Sequence, residues 1–425
     1  MSATEERTKV YAAVDHLFRR ESGRLVAILT RQFGYANVHL AEDVVQDALV
    51  KAMQTWPLTG VPRNPSAWLL ETARNRALDQ ARRAGRWRRR EPVVAPLIEA
   101  CLQAAVAEPA AQFEDEIRDS QLKMMFACCH PGLAREAQVA LTLRTLCGFG
   151  EREIAAAFLA SEAAIVKRLV RARRWLREEG KVVELEETAE LGPRIEAVQQ
   201  ALYLLFNEGY KASAGDALLR EDLCAEALRL GGLLVRHPVG DRPSTHALLA
   251  LMCFNAARLP ARTDERGEAL RLGEQDRARW DRGLIGAGVR HLGASAQGAE
   301  VSRFHLEAGI AGCHALASSE AETDWKEILA LYDQLLALDG SPVVALNRAV
   351  AVGKVCGAAA GLAALEAMPR RGRLDTYHLR HAVEGQLWRE AGDEVRAAEA
   401  FRRAAALAPI GAEREWLARR ARVEG

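Results

Sequence analysis

Alanine, leucine, arginine and glutamate dominate almost every segment of this chain, and alternating β-branched runs are nearly absent, so helix is the regular structure its backbone favours. The expected fold is all-α: two small helical domains, the second with a helix-turn-helix, followed by a larger helical body. A length of 425 residues exceeds one ordinary core, and a hydrophobic content of 49% rules out general disorder. No apolar run approaches the roughly 18 residues that would span a bilayer. The start, MSATEERTKV, lacks the apolar h-region of a secretory signal, so a cytoplasmic protein is expected.

The cysteines are scattered, without CxxC spacing, and read as reduced core thiols. Cys128, Cys129 and His130 are the one dense Cys/His cluster, but adjacent helical cysteines diverge, which suits a metal poorly. His378 and His381 sit at i, i+3 with no further ligand to be named from sequence. No metal site and no cofactor are expected. Nucleotide-loop, nucleophile-elbow and zincin motifs are absent, and Gly286-Ala-Gly288 lacks the strand-helix context of a phosphate loop, so no enzyme is expected.

The stretch Gly148 to Leu176 reads as two short helices around a tight turn. Ser161 is placed to cap the second, whose apolar positions Ile165, Leu169, Ala172 and Leu176 recur at helical spacing. Lys167, Arg168, Arg171, Arg173, Arg174 and Arg177 place six positive charges in eleven residues of a chain whose net charge is +1. One face is expected to pack and the other to meet DNA, with Lys167, Arg168, Arg171 and Arg174 as the candidate contacts.

An earlier helix, Ala41 to Met53, puts Val45, Ala48, Leu49, Ala52 and Met53 on a core face and Asp43 and Asp47 together on another. A Pro-rich loop, Thr55 to Pro65, leads into a helix from about Ser66 to Arg83 with Trp68, Thr72, Asn75, Asp79 and Arg82 along one side. From Arg74 to Arg90 there are eight arginines and one aspartate, with Trp87 interleaved. Such a run serves phosphate binding. Candidate DNA-binding residues here are Trp68, Asn75, Arg76, Arg82, Arg83 and Arg86.

Prolines at 92, 96 and 109 mark a linker, and the acidic segment Glu184 to Glu190 with Gly192-Pro193 marks a second boundary. The expected domains are 9–86, a linker 87–115, 116–179, and a helical extension 192–425. Near its end, Leu387, Gly392-Asp393, Ala397, Phe401 and Leu407-Ala408-Pro409 form the pattern of a tetratricopeptide hairpin, and Leu338 stands 69 residues before Leu407, close to two such periods.

The order of an AEDVVQDA helix, a loop, a helix reading AWLLETARNRALDQARR, a linker and a helix-turn-helix resembles the extracytoplasmic-function sigma factors of RNA polymerase over about residues 9 to 178. The resemblance implies that Asp43 and Asp47 dock on core polymerase. It implies that the loop Thr55 to Pro65 captures a flipped base of the minus-10 element, and that Trp68 and Asn75 support promoter melting. The helix Ser161 to Arg177 would enter the major groove at the minus-35 element. The segment ALYLLFNEGYKAS, residues 201 to 213, is similar to the subgroup whose fused C-terminal extension controls activity. Asn207, Glu208, Gly209 and Tyr210 are its candidate regulatory motif.

The function expected is a sigma factor that binds core RNA polymerase and promoter DNA, with no membrane partner, and whose C-terminal domain contacts the sigma domains or a protein partner. The alternative is a helix-turn-helix regulator with a repeat-based sensor. That alternative leaves the acidic helix and the basic Trp68 helix unexplained.

Overall fold

The computed structural model describes residues 21–87, 120–158, 160–179, 191–210, 219–264, 270–368, 374–408 and 411–422. The expected linker 87–115 and the acidic segment Glu184 to Glu190 lie outside them, apart from Trp87. Among the described residues regular structure is helical throughout and no strand occurs. The chain forms two compact units, Met1–Gly209 with Asp222–Gly240, and Tyr210–Glu221 with Asp241–Gly425. The expected start of the extension near residue 192 therefore falls inside the first unit.

The first unit begins with α1 (21–33), α2 (Val38–Thr59) and α3 (Pro65–Trp87). Helix α2 buries Val38, Ala41, Val45, Ala48, Ala52 and Trp56 at intervals of three or four residues and packs them on α3. Trp56 is 2% exposed and meets Trp68 edge-on, ring centroids 5.4 Å apart. That burial carries α2 six residues past Met53. Hence the expected loop Thr55 to Pro65 contracts to 60–64, opened by Gly60 at φ 81°. Met53 flanks the buried stripe and is exposed, not core, whereas Thr72 turns inward with Leu69, Ala73 and Ala77.

Next come α4 (120–128), α5 (Arg135–Cys147), α6 (Glu151–Ala157) and α7 (Glu162–Glu179). Gly148 takes the left-handed conformation that ends α5, and Glu153 accepts from the Gly150 amide at 2.8 Å to start α6. Ser161 Oγ accepts from the Ala164 amide at 3.3 Å, and Ile165, Leu169, Ala172 and Leu176 are buried, as the spacing requires. Helices α8 (Ile195–Tyr210) and α9 (Glu221–Val235) belong to this unit but for Tyr210 and Glu221.

The second unit is built on α10 (Pro243–Ala256), apolar on all sides and covered by α11 (Arg282–Ser295) and α12 (Arg303–Leu316). The glycine-rich stretch around Gly286 and Gly288 lies within α11; a Cβ on Gly288 would strike the Phe254 ring, so packing explains that glycine. Antiparallel helices follow, each packed on the next: α13 (Trp325–Asp339), α14 (Pro342–Cys356), α15 (Ala358–Glu366), α16 (His378–Glu390), α17 (Glu394–Leu407) and α18 (Gly411–Arg420). The expected hairpin at Gly385 to Pro409 is α16 and α17, joined through Gly392 at φ 82°. A Cβ on Gly385 would sit 3.1 Å from the Phe401 ring.

Candidate nucleic-acid interface

Helix α7 divides its surface as the charge pattern demands. Lys167, Arg171 and Arg174 are exposed, Arg174 pairing with Glu178 at 2.8 Å. Val166 and Val170, 43% and 57% exposed, lie among these cations. They offer the apolar contact that a thymine methyl accepts, and sequence reasoning passed over them because valine at helical spacing reads as core. Arg168 is half-buried, its guanidinium 5.3 Å from the Phe158 ring centroid.

On α2, Asp43 and Asp47 are both exposed, one turn apart on one face. Asn75 and Arg76 are exposed on α3, while Trp68 is half-buried against Trp56. Arg82, Arg83 and Arg86 fall in the last turns of α3, and their side chains lie outside the described ones. Leu58 is 86% exposed and Val61 48%, beside the 60–64 turn, an unusual investment of apolar surface in water.

The residues that sequence reasoning missed join α2 to α7. Glu42, next to Asp43 but about 100° further round the helix, accepts from Thr145 Oγ1 at 3.1 Å and pairs with Arg173 at 2.6 Å. Burial pushes its carboxyl above the usual range, against the pull of Arg173 and Thr145. Burial and the nearby Arg177 guanidinium push the His39 imidazole down. A Cβ on Gly23 of α1 would run into the carbonyl oxygen of Leu146, so only glycine admits this approach of α1 to α5. Arg31 donates to Ser120 Oγ at 3.4 Å. No spacing rule signals contacts 89 or more residues apart.

The stretch after α7 also attaches to this unit. Arg194, 2% exposed, donates to the carbonyl of Phe126 at 3.0 Å. Arg229 donates to Gln121 Oε1 at 2.9 Å, and Arg135 pairs with Glu196 at 3.2 Å. Within the motif 207–210, Glu208 and Gly209 are buried, Asn207 and Tyr210 half-buried. The Arg262 guanidinium stacks 3.9 Å from the Tyr210 ring centroid and donates to the Tyr210 carbonyl at 2.6 Å.

Cys128, Cys129 and Cys147 are buried, and burial pushes their thiols up, Cys129 to about 12. His378 faces Glu413 at 3.3 Å while His381 meets the carbonyl of Asp375 at 2.9 Å, so the two imidazoles serve different partners. Among the described residues no group of His, Cys, Asp or Glu could hold a metal ion. Nor is any described helix long and apolar enough to cross a membrane.

Comparison with known proteins matches residues 17–87 to sigma-70 region 2 and residues 123–176 to sigma-70 region 4, the segments holding α1–α3 and α4–α7. The chain carries sigma-70 regions 2 and 4, those of a sigma factor. A sigma factor directs promoter recognition and transcription initiation through DNA-binding domains, the helix-turn-helix among them. Residues 194–296 of this sigma factor match a family of unknown function (DUF6596). The chain is also 37% identical over 385 residues to the uncharacterized protein R00370 of Rhizobium meliloti (strain 1021), covering 90% of this chain and 89% of that protein, and belongs to its family. No solved structure matches it.

Proposed function

We propose that this sigma factor is of the extracytoplasmic-function type, acts in the cytoplasm, and is controlled by its own C-terminal half, whose later hairpins are tetratricopeptide-like. The observation that carries this reading is the partition of the two sigma regions. Helix α7 keeps Lys167, Arg171 and Arg174 in water while its apolar stripe is spent on packing, and α2 keeps Asp43 and Asp47 in water while its own stripe meets α3. The cations suit phosphate and base edges at the minus-35 element, with Arg168 joining them once it leaves Phe158. The carboxylates suit a basic face of core polymerase. Trp68, Asn75, Arg76, Arg82, Arg83 and Arg86 serve the minus-10 side, where stacking on exposed apolar groups offsets a melting cost of a few kcal/mol.

Control rests on three contacts. The ion pair of Glu42 with Arg173 binds region 2 to region 4, yet elements centred about 25 base pairs apart lie about 85 Å apart at roughly 3.4 Å per base pair. The packed arrangement is therefore a resting form that separates before both elements are read. Arg194 and Arg229, at the start of the extension, hold region 4 in it, and Asn207, Glu208, Gly209 and Tyr210 are the candidate regulatory motif.

Run-off transcription with core polymerase and the chain's own promoter tests the assignment. Full-length protein is expected to yield transcripts, and Asp43→Ala with Asp47→Ala to lose both transcripts and comigration with core polymerase. Promoter binding that persists in that variant without any dependence on polymerase would instead favour the helix-turn-helix regulator.

A further inference from the structure

The second unit contains a cavity of about 750 Å³ that the promoter-reading residues do not line. Its apolar floor combines Leu346 and Val350 of α14, Leu379 and Val383 of α16, and Trp416 and Leu417 of α18. Leu346 with Val350 and Leu379 with Val383 each stand one turn apart on one face of their helix, and α18 adds Trp416 and Leu417, so alternate helices share one apolar floor. The volume lies in the range of sites that enclose a ligand, roughly 300–1,000 Å³.

Around the floor the walls are acidic. Glu274, Glu320, Glu390 and Glu413 line the cavity against two cations, Arg271 and Lys354, the Lys354 Nζ lying 3.4 Å from Glu320 and 3.3 Å from Glu390. One ammonium shared by two carboxylates leaves negative charge facing the trough. Glu413 adds to it beside the buried His378.

The chain itself already seats one basic group in this cavity. A short strap, Leu270-Arg271-Leu272, lines the same cavity. Arg271 Nη1 donates to Gln386 Oε1 at 2.9 Å, and its guanidinium lies 5.7 Å from the Trp416 ring centroid. Glu274 holds the strap in its turn, accepting from the Arg271 amide at 2.9 Å. A basic side chain between two leucines is thus already seated on an amide and an aromatic ring of the trough.

We propose that this cavity binds an extended peptide segment of a partner protein in which apolar side chains alternate with basic ones, the strap Leu270-Arg271-Leu272 occupying part of the site in the free chain. The apolar groups fill the floor and the basic groups meet Glu320, Glu390 and Glu413. Nothing in this assignment depends on the sigma reading, and the two fail separately.

The test is fluorescence anisotropy with full-length protein and two labelled peptides, acetyl-Ala-Leu-Arg-Leu-Trp-Arg-Ala-amide and its charge-reversed form with glutamate for each arginine. The basic peptide is expected to bind at least tenfold more tightly. Glu320→Gln with Glu390→Gln, at partly exposed positions that leave the core intact, is expected to weaken it about tenfold. Arg271→Ala, which removes one of the two guanidinium groups on Gln386 and Trp416, Arg420 being the other, is expected to strengthen it severalfold; a merely structural strap would instead weaken binding when cut back. Equal binding of both peptides would mark a non-selective apolar cleft and overturn the proposal, as would binding of neither, or indifference to the paired glutamine substitutions.

Discussion

Glu42 and Asp43 are adjacent acids with opposite fates, and the helix explains both. A step of one residue turns the side chain by about 100°, which puts Asp43 in water and Glu42 between α2, α5 and α7. Burial raises the Glu42 carboxyl above its value in the unfolded chain, so its favourable contribution is complete below the ordinary carboxylate range and is lost as pH rises through the raised value. Glu42→Gln keeps one acceptor oxygen for Arg173 and turns its amide NH2 to Thr145 Oγ1, which can accept, without the buried charge. Its Tm is expected to match the parent near pH 4 and to exceed it at pH 7. A Tm below the parent at pH 7 would mean that the ion pair outweighs desolvation. A second titration sits in the other unit, where burial and the neighbouring Arg258 and Arg277 push His314 down to about 4. Such a histidine favours the fold above its unfolded value and costs stability as pH falls from about 6.5 towards 4, at most ~3 kcal/mol. His314→Gln is expected to remove that part of the acid limb in a pH series of thermal melts.

At the scale of elements, sequence made the helices and their buried stripes legible, because a stripe is a local property. Ile165, Leu169, Ala172 and Leu176 were readable as one face of α7 from their spacing, and all four are buried. The end of α2 was not readable. Pro57 signals a break, but Trp56 finds its place only when Trp68 arrives from α3, and the helix continues to Thr59. The approach of region 2 to region 4 is of the same kind. Truncating one member of a buried ion pair costs about 3–5 kcal/mol, and less here since the Arg173 side chain keeps 23% of its surface exposed. Reversing the charge at either position, Glu42→Arg or Arg173→Glu, is expected to lengthen the distance between spin labels at positions 50 and 170, and the double exchange to restore it. Gly23→Leu, which drives a side chain into Leu146, is expected to lengthen that distance as well and to increase promoter binding by the free chain. A gain of binding cannot arise from unfolding. Unchanged distances in all these variants would show that the contacts do not hold the two regions together.

At the scale of the molecule, the first compact unit does not stop where the sigma regions do. Arg194 and Arg229 fasten α8 and α9 to α4, and the His237 ring lies 5.9 Å from the ring of Phe126. A chain ending at Glu179 removes these partners from a buried carbonyl and a buried amide, and an orphaned buried polar group costs about 1–3 kcal/mol. A chain ending at Gly240 keeps them. The shorter chain is expected to melt several degrees lower and to bind a hydrophobic dye, the longer one to melt as the full-length protein does in its first transition; equal melting of the two would detach α8 and α9 from the unit. The sequence alone determined that the chain is helical, where its charge gathers, which helix faces are apolar and which motif order it follows, because each rests on residues within a few turns of one another. Tertiary structure alone decided that Glu42 serves packing while Asp43 faces water, that Arg173 turns inward among outward arginines, and that the boundary after α7 is bridged, because those outcomes depend on which surfaces meet across a hundred residues.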